Sequence, residues 1–171
     1  SAGAEVDLVE INNKRAKVLK ENLDRLKFKN KIIISDAISI DNSKKYDYVL
    51  VDAPCSSVGT LRRNPEIFFR NKTPNLNKLS KIQETLLDKA KELLFSGGII
   101  IYMVCSFLES ETKQRIENFL KKNKNFSIAE FTKNSEGDIF LKKDGYLKIF
   151  PQTLNEINID GFFAVQLKKN D

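Results

Sequence analysis

A short apolar run that ends abruptly in polar and sulfur-bearing residues limits the folds open to this chain. Residues 46–51 are rich in β-branched and aromatic side chains, which is typical of a buried strand in a parallel sheet. Asp52 follows directly, and Pro54, which lacks a backbone N–H, stops further strand pairing. Open α/β sheets bind ligands beyond the carboxyl ends of their strands. The sequence therefore predicts a site around Asp52 and Cys55.

A second apolar run brings the other cysteine to an equivalent position. Residues 97–104 predict another strand, and Cys105 and Ser106 come at its end. Because the carboxyl ends of parallel strands lie at one edge of a sheet, the thiols of Cys55 and Cys105 are predicted to be neighbours in space.

The rest of the chain predicts alternating strands and helices, which is typical of the α/β class. Further strands are predicted at residues 4–11, 32–34, 126–131 and 161–167, with a hairpin of 139–141 and 147–150 around Asp144-Gly145. One helix is predicted to follow Asn12 as its N-cap, and another to follow residues 106–111. A long helix is predicted to start with Thr73 as cap and Pro74 at its first position, and to extend through Leu94 before Gly97.

Composition indicates one soluble domain. The chain has 171 residues, 41% of them hydrophobic, a net charge of +6 and a pI near 9.2. The charge favours a polyanionic partner, although lysine-rich helix faces would give the same sum. No apolar run approaches about 18 residues and no signal peptide opens the chain, so a cytoplasmic protein without a membrane partner is expected. Without histidine or a close cysteine pair, no metal site is predicted, and both cysteines are expected to be reduced thiols.

These residues permit nucleophilic chemistry. Cys105 precedes a predicted helix, a position that favours the thiolate, and Asp52 is predicted to activate a substrate as an acid. Glu10 and Asp36, each at a predicted strand end, can accept hydrogen bonds from a ribose and an adenine-like ring. Two plainer interpretations stay open: the cysteines are ordinary buried residues, and the acids are solvated side chains.

Four spaced motifs resemble the RNA cytosine-5 methyltransferases, above all the bacterial ribosomal RNA enzymes of the Sun/Fmu type. They are Asp52-Ala53-Pro54-Cys55-Ser56, Gly59 with Arg62-Arg63-Asn64-Pro65-Glu66, Val104-Cys105-Ser106 with Glu111, and Asp160-Gly161-Phe162-Phe163. The resemblance covers nearly the whole chain. It implies a Rossmann-like fold with a mostly parallel sheet and helices on both faces. It also implies methylation of carbon 5 of a cytosine in RNA, ribosomal or transfer, with S-adenosylmethionine as cofactor.

The resemblance also implies a role for each candidate residue. Cys105 would be the nucleophile that adds to carbon 6 of the base, Asp52 would bind or protonate ring nitrogen 3, and Cys55 would release the product. Glu10 would bind the cofactor ribose and Asp36 the adenine, with Asp52 also beside the cofactor. Arg62 and Arg63 would contact RNA phosphates.

One departure from the family concerns the start of the chain. Members carry a first strand and a glycine-rich loop with a lysine upstream of the Glu10 strand, and Gly3 resembles the tail of that loop. Residues 1–171 are therefore predicted to form a single, N-terminally truncated catalytic domain, inactive alone within an active parent protein. The alternative is a non-catalytic RNA-binding module that has lost cofactor binding. Val104 and Asn64 replace the threonine and histidine usual in the family.

Overall fold

The computed structural model describes residues 3–69, 73–131, 140–141, 144–154 and 157–171. The chain divides into two compact units, Ser1–Ser43 and Lys44–Asp171. Each unit combines strands and helices, which confirms the predicted α/β class. The assignment of all 171 residues to one domain stays a prediction.

The first unit is a small parallel β-α-β arrangement. Its elements are β1 (Asp7–Glu10), α1 (Asn13–Arg25), β2 (Lys31–Ile34) and a short 3-10 helix (Ala37–Ser39). Asn12 caps α1 as predicted, because its side chain accepts hydrogen bonds from the backbone N–H groups of Lys14 and Arg15. β1 and β2 are parallel neighbours with Glu10 opposite Ile34, so both strands end at the same edge.

The prediction of a buried strand over residues 4–11 is wrong in length and burial. β1 has four residues, and Val6, Val9 and Ile11 are 43%, 37% and 59% exposed. The reason is that β1 pairs with β2 in a two-stranded sheet, which is too small to cover both faces of a strand.

In its described residues, the second unit contains a five-stranded mixed sheet and two α-helices. Its elements are β3 (Tyr46–Asp52), α2 (Leu76–Glu92), β4 (Leu94–Val104), α3 (Lys113–Lys122), β5 (Phe126–Ala129), β6 (Leu147–Ile149), β7 (Gln152–Leu154), β8 (Ile157–Ile159) and β9 (Phe162–Lys169). The strand order is β3-β4-β9-β5, with β6 also paired to β9, while β7 and β8 form a separate pair. β3 and β4 are parallel as predicted, but β9 is antiparallel to all its neighbours, so the sheet is mixed rather than mostly parallel.

Helix α2 differs from its predicted bounds at both ends. Asn75, not Thr73, is the N-cap, since its side chain accepts the backbone N–H of Lys78. The helix ends at Glu92 because Leu94 pairs with Tyr46 and begins β4 instead. The predicted stop signal at Gly97 lies inside β4, where φ is +75° and the register with β3 shifts.

The predicted hairpin is present in part. Leu141 forms an antiparallel bridge with Leu147, and Gly145 between them has φ +82°, which suits a tight turn. Ile139, the other predicted end of the hairpin, lies outside the described residues.

The core lies between the sheet and helices α2 and α3. Tyr102 of β4, Phe163 of β9, Leu87 of α2 and Ile116 of α3 are all fully buried in it. Each such side chain contributes about 1.5–3 kcal/mol through burial. This packing fixes the ends of β3 and β4, from which the candidate site extends. Among the described helices, none combines the length and apolar character needed to cross a bilayer.

Candidate active site

The parallel register of β3 and β4 brings the two cysteines together. Asp52 lies opposite Met103, so Cys55 comes three residues after one partner and Cys105 two residues after the other. The N–H of Ala53 donates to the Met103 carbonyl at 3.0 Å, and Pro54 then ends the pairing. The two sulfur atoms lie 3.4 Å apart, which confirms that the thiols are neighbours.

The two thiols have opposite pKa shifts. Cys105 accepts a hydrogen bond from Cys55, and this bond, with another from Ser57, lowers the pKa of Cys105 to about 6 against the effect of burial. The bond donated to Cys105, together with burial, raises the pKa of Cys55 well above its ordinary range. These opposite shifts favour the thiolate at Cys105 and the thiol at Cys55, and the role of Cys105 as the nucleophile stays a prediction.

Asp52 is exposed at the end of β3, on the same edge as the thiols. Its carboxylate acts on Cys105 electrostatically, since it works against ionisation of that thiol. The exposed Asp52 side chain is therefore accessible to a ligand that binds at this edge. The role predicted for Asp52 on a substrate ring stays a prediction.

A buried carboxylate holds the loop that carries Cys55. Glu111 is 1% exposed and accepts the Ser56 backbone N–H at 2.8 Å and the Ser56 hydroxyl at 2.6 Å. Gln83 donates to the Pro54 carbonyl at 3.0 Å from the helix side. Buried carboxylates need such donors, because an unpaired one is strongly destabilising. This network fixes the backbone on both sides of Cys55.

Sequence reasoning missed most of this network. The sequence alone places Glu111 in a motif without predicting a role for it, and it predicts no role for Gln83. A signal existed for Gln83: it lies four residues from both Leu79 and Leu87, on the apolar stripe of α2, where a polar side chain needs a buried partner.

Two glycines, Gly59 and Gly161, allow a second loop to pack closely against Cys105. Gly59 donates its N–H to the Cys105 carbonyl at 3.0 Å and accepts the Gly161 N–H at 2.7 Å. The approach is so close that a Cβ on Gly59 would lie 2.1 Å from the Gly161 carbonyl oxygen. Only a residue without a side chain fits here, which explains why both motifs carry glycine.

Arg62 and Arg63 both pair with Asp160. Their guanidinium nitrogens lie 3.3 Å and 2.5 Å from its two carboxylate oxygens. The arginine side chains are 40% and 63% exposed, whereas that of Asp160 is 18% exposed. Two cations share one carboxylate, so one net positive charge is left at this surface. The predicted phosphate contacts of both arginines stay predictions.

Glu10 and Asp36 occupy the same edge of the small sheet in the first unit. Arg15 and the Asn12 N–H lower the pKa of Glu10, and both bonds end on Oε1, so Oε2 can still accept a hydroxyl. Asp36 is exposed after β2, and its Oδ1 accepts the Ile38 N–H at 3.1 Å. Paired acceptors on neighbouring strand ends fit a ribose and an adenine, so these residues suit the predicted cofactor.

Within the part of the chain that the structure describes, no group of three or more Cys, Asp and Glu side chains is arranged to hold a metal ion. The donors at the site are two sulfurs and one carboxylate, one of the sulfurs being held as a protonated thiol.

Comparison with known proteins identifies the family. Residues 2–168 match the family described as 16S rRNA methyltransferase RsmB/F. Ribosomal RNA small subunit methyltransferase B of Shewanella oneidensis is 31% identical over 164 residues, which are 94% of this chain and 36% of that protein. The chain thus spans little more than a third of that relative.

Solved structures agree with the fold. The crystal structure of PH0851 superposes with a TM-score of 0.83 at 28% identity, over 97% of this chain and 37% of that one. NSun6 from Pyrococcus horikoshii, crystallised with SFG, superposes with a TM-score of 0.79 at 22% identity, over 98% of this chain and 42% of that one. The predicted Rossmann-like methyltransferase fold is confirmed, and S-adenosylmethionine is the cofactor of this family. The chain belongs to the 16S rRNA methyltransferase RsmB/F family.

Proposed function

We propose that this chain forms the catalytic part of an enzyme that methylates carbon 5 of a cytosine in ribosomal RNA. The observation that carries the proposal is the pair of sulfurs 3.4 Å apart, one favoured as thiolate and the other as thiol. A structural cysteine pair needs no such asymmetry, and an RNA-binding module needs no nucleophile. Cytoplasmic RNA as the partner is part of the same proposal.

Cys105 begins the reaction. Carbon 5 of cytosine is a poor nucleophile until a thiolate adds to carbon 6, and the Cys105 sulfur carries the electron pair for this new bond. As the C5–C6 double bond opens, negative charge develops toward ring nitrogen 3. Asp52, at the same edge, would act there in its protonated form, from which it can donate a hydrogen bond or a proton.

Cys55 ends the reaction. The carbon-5 proton must leave, the C5–C6 double bond must re-form, and the Cys105–carbon bond must break with its electron pair returning to sulfur. Cys55 lies close enough to the Cys105 sulfur to act at this step. Loss of charge on Cys105 after attack removes the leading cause of the raised pKa of Cys55, so the Cys55 thiol can release its own proton to solvent and, as a thiolate, accept the carbon-5 proton.

Glu10 and Asp36 are proposed to hold S-adenosylmethionine through its ribose hydroxyls and adenine amino group. When bound, this cofactor supplies an electrophilic methyl group. The further cofactor role of Asp52 is part of the same proposal. A target inside stacked RNA would have to be single-stranded or flipped out.

The decisive experiment is covalent trapping. The full reading frame that encodes this chain is incubated with labelled small-subunit ribosomal RNA and S-adenosylmethionine, and adducts are separated on a denaturing gel. Cys55→Ala is expected to accumulate an adduct, since attack proceeds while release fails. Cys105→Ala and the double variant are the matched controls and are expected to give none. Peptide mass spectrometry locates the nucleotide on Cys105.

Two outcomes would refute the proposal. An adduct that persists in Cys105→Ala would reverse the roles of the cysteines. If the protein bound RNA but formed no adduct, and calorimetry detected no cofactor binding, the non-catalytic RNA-binding module would be the remaining interpretation. Carbon 5 is tested with RNA containing 5-fluorocytosine: because this base has no hydrogen at carbon 5, the wild-type protein is expected to be trapped on it.

A further inference from the structure

We propose that Ser57 is a positioning residue that stabilises the Cys105 thiolate through its hydroxyl group. The inference rests on the proposed function in one respect only, namely that Cys105 is the attacking group.

The backbone at Ser57 is held in an unfavourable conformation. Its φ of 61° and ψ of 19° lie in the left-handed region, which non-glycine residues adopt at a cost. The conformation is fixed because the Ser57 carbonyl accepts two hydrogen bonds from Thr60, at 3.0 Å from its N–H and 2.9 Å from its hydroxyl. A glycine would satisfy the same backbone without strain, so the serine side chain needs its own explanation.

The hydroxyl of Ser57 is directed to Cys105 rather than to its own turn. Ser57 precedes the 3-10 helix of residues 58–60, yet its side chain makes no capping hydrogen bond to that helix. Its Oγ instead lies 3.6 Å from the Cys105 sulfur, within hydrogen-bonding range for sulfur. To a thiolate the hydroxyl donates, and a hydrogen bond to a charged acceptor is stronger than one to a neutral acceptor.

Other groups around Cys105 also affect its ionisation, and the contribution of Ser57 is additional to theirs. Cys55 donates to the same sulfur from the loop after β3, while Asp52 at the end of β3 opposes ionisation. Glu111 acts electrostatically on Cys55, and Cys55 in turn acts on the buried hydroxyl of Tyr102. Ser57 is thus a hydrogen-bond donor to the nucleophile in addition to the Cys55 thiol and the backbone N–H of Cys105 itself.

The test is the pH profile of thiol alkylation in the 171-residue chain. Iodoacetamide labelling at Cys105 is followed by peptide mass spectrometry, which reports Cys105 and Cys55 separately. Ser57→Gly and Ser57→Ala are both expected to move the Cys105 midpoint upward by about one pH unit, the size expected for one charge-assisted hydrogen bond. Ser106→Ala removes a hydroxyl that bonds Ser56 and the Leu108 N–H, and is expected to keep the wild-type midpoint.

The glycine variant distinguishes the effect of losing the hydroxyl group from an effect of losing stability. Ser57→Gly removes the left-handed strain, so its thermal midpoint is expected to be equal to or above wild type while Cys105 becomes less acidic. An unchanged Cys105 midpoint in both variants, or a shift in Ser57→Ala alone, would overturn the role of the hydroxyl. The assay uses neither RNA nor cofactor. A normal Ser57 result without an RNA adduct would therefore refute the proposed function and leave this inference standing.

Discussion

Substitution of Gly59 by alanine is expected to destabilise the protein by loosening the loop that holds Cys105. The added Cβ would lie 2.1 Å and 2.7 Å from the Gly161 carbonyl oxygen and carbon, and 2.9 Å from the Cys105 carbonyl oxygen. All three are backbone atoms and cannot rotate away as a side chain would. Either the turn at Gly59 or the segment at Gly161 has to move.

The magnitude follows from what such a movement breaks. The Gly161 N–H bond to Gly59 at 2.7 Å and the Gly59 N–H bond to Cys105 at 3.0 Å would both be lost or lengthened. Each contributes about 1 kcal/mol, and overpacking adds about 1–3 kcal/mol. We expect the free energy of unfolding to fall by about 3–5 kcal/mol in Gly59→Ala.

Urea unfolding of the 171-residue chain measures this loss, with the slope of the transition checked against wild type. Gly97→Ala is the matched control, because Gly97 has φ +75° and no atom within 4 Å of an added Cβ. Its expected cost is the left-handed conformation alone, about 1–2 kcal/mol. A loss in Gly59→Ala no larger than that in Gly97→Ala would refute the steric argument.

Two further predictions concern charge. The alkylation rate of Cys105 is expected to follow a pKa of about 6, so the rate falls as pH drops through 6 and is level at pH 7–8. Alkylation of Cys55 is expected to stay slow across this range. Equal alkylation rates of the two thiols at neutral pH would contradict the assignment of the thiolate to Cys105. Arg62→Ala and Arg63→Ala are each expected to reduce the slope of log binding constant against log salt concentration for RNA by about 0.7. The free energy of unfolding is expected to change by less than about 1 kcal/mol, because these ion pairs are exposed. A slope that stays at the wild-type value would make both arginines structural.

The parts of the site that follow strand ends could be predicted from the sequence. Apolar runs that stop at Asp52 and Val104 give two strands, and parallel pairing then places Cys55 beside Cys105. The direction of β9 could not be predicted, since an apolar run has the same composition in both orientations. The start of α2 was predicted wrongly, because Asn75 rather than Thr73 forms the side-chain bond that caps the helix.

The contacts that tune the thiols could not be predicted, because they join residues far apart in sequence. Glu111 accepts hydrogen bonds from a serine 55 positions earlier, and nothing local marks that carboxylate as buried. Ser57 occupies a backbone conformation that glycine or asparagine normally adopts, so its φ could not be predicted from the residue type. Tertiary packing decides such positions.

The hydrogen bond between the thiols also determines how the trapped variant should behave. Cys55→Ala removes the donor that contributes most to the low pKa of Cys105, so the nucleophile should return toward its ordinary pKa of about 8.5. Adduct formation in Cys55→Ala is therefore expected to rise with pH across that range, whereas attack by the wild-type protein is level above about pH 7. The adduct should still accumulate at high pH, because release lacks its proton acceptor. An adduct that forms at the same rate from pH 6 to pH 9 would show that Cys55 does not hold Cys105 as a thiolate, and the division of roles between the two sulfurs would need another cause.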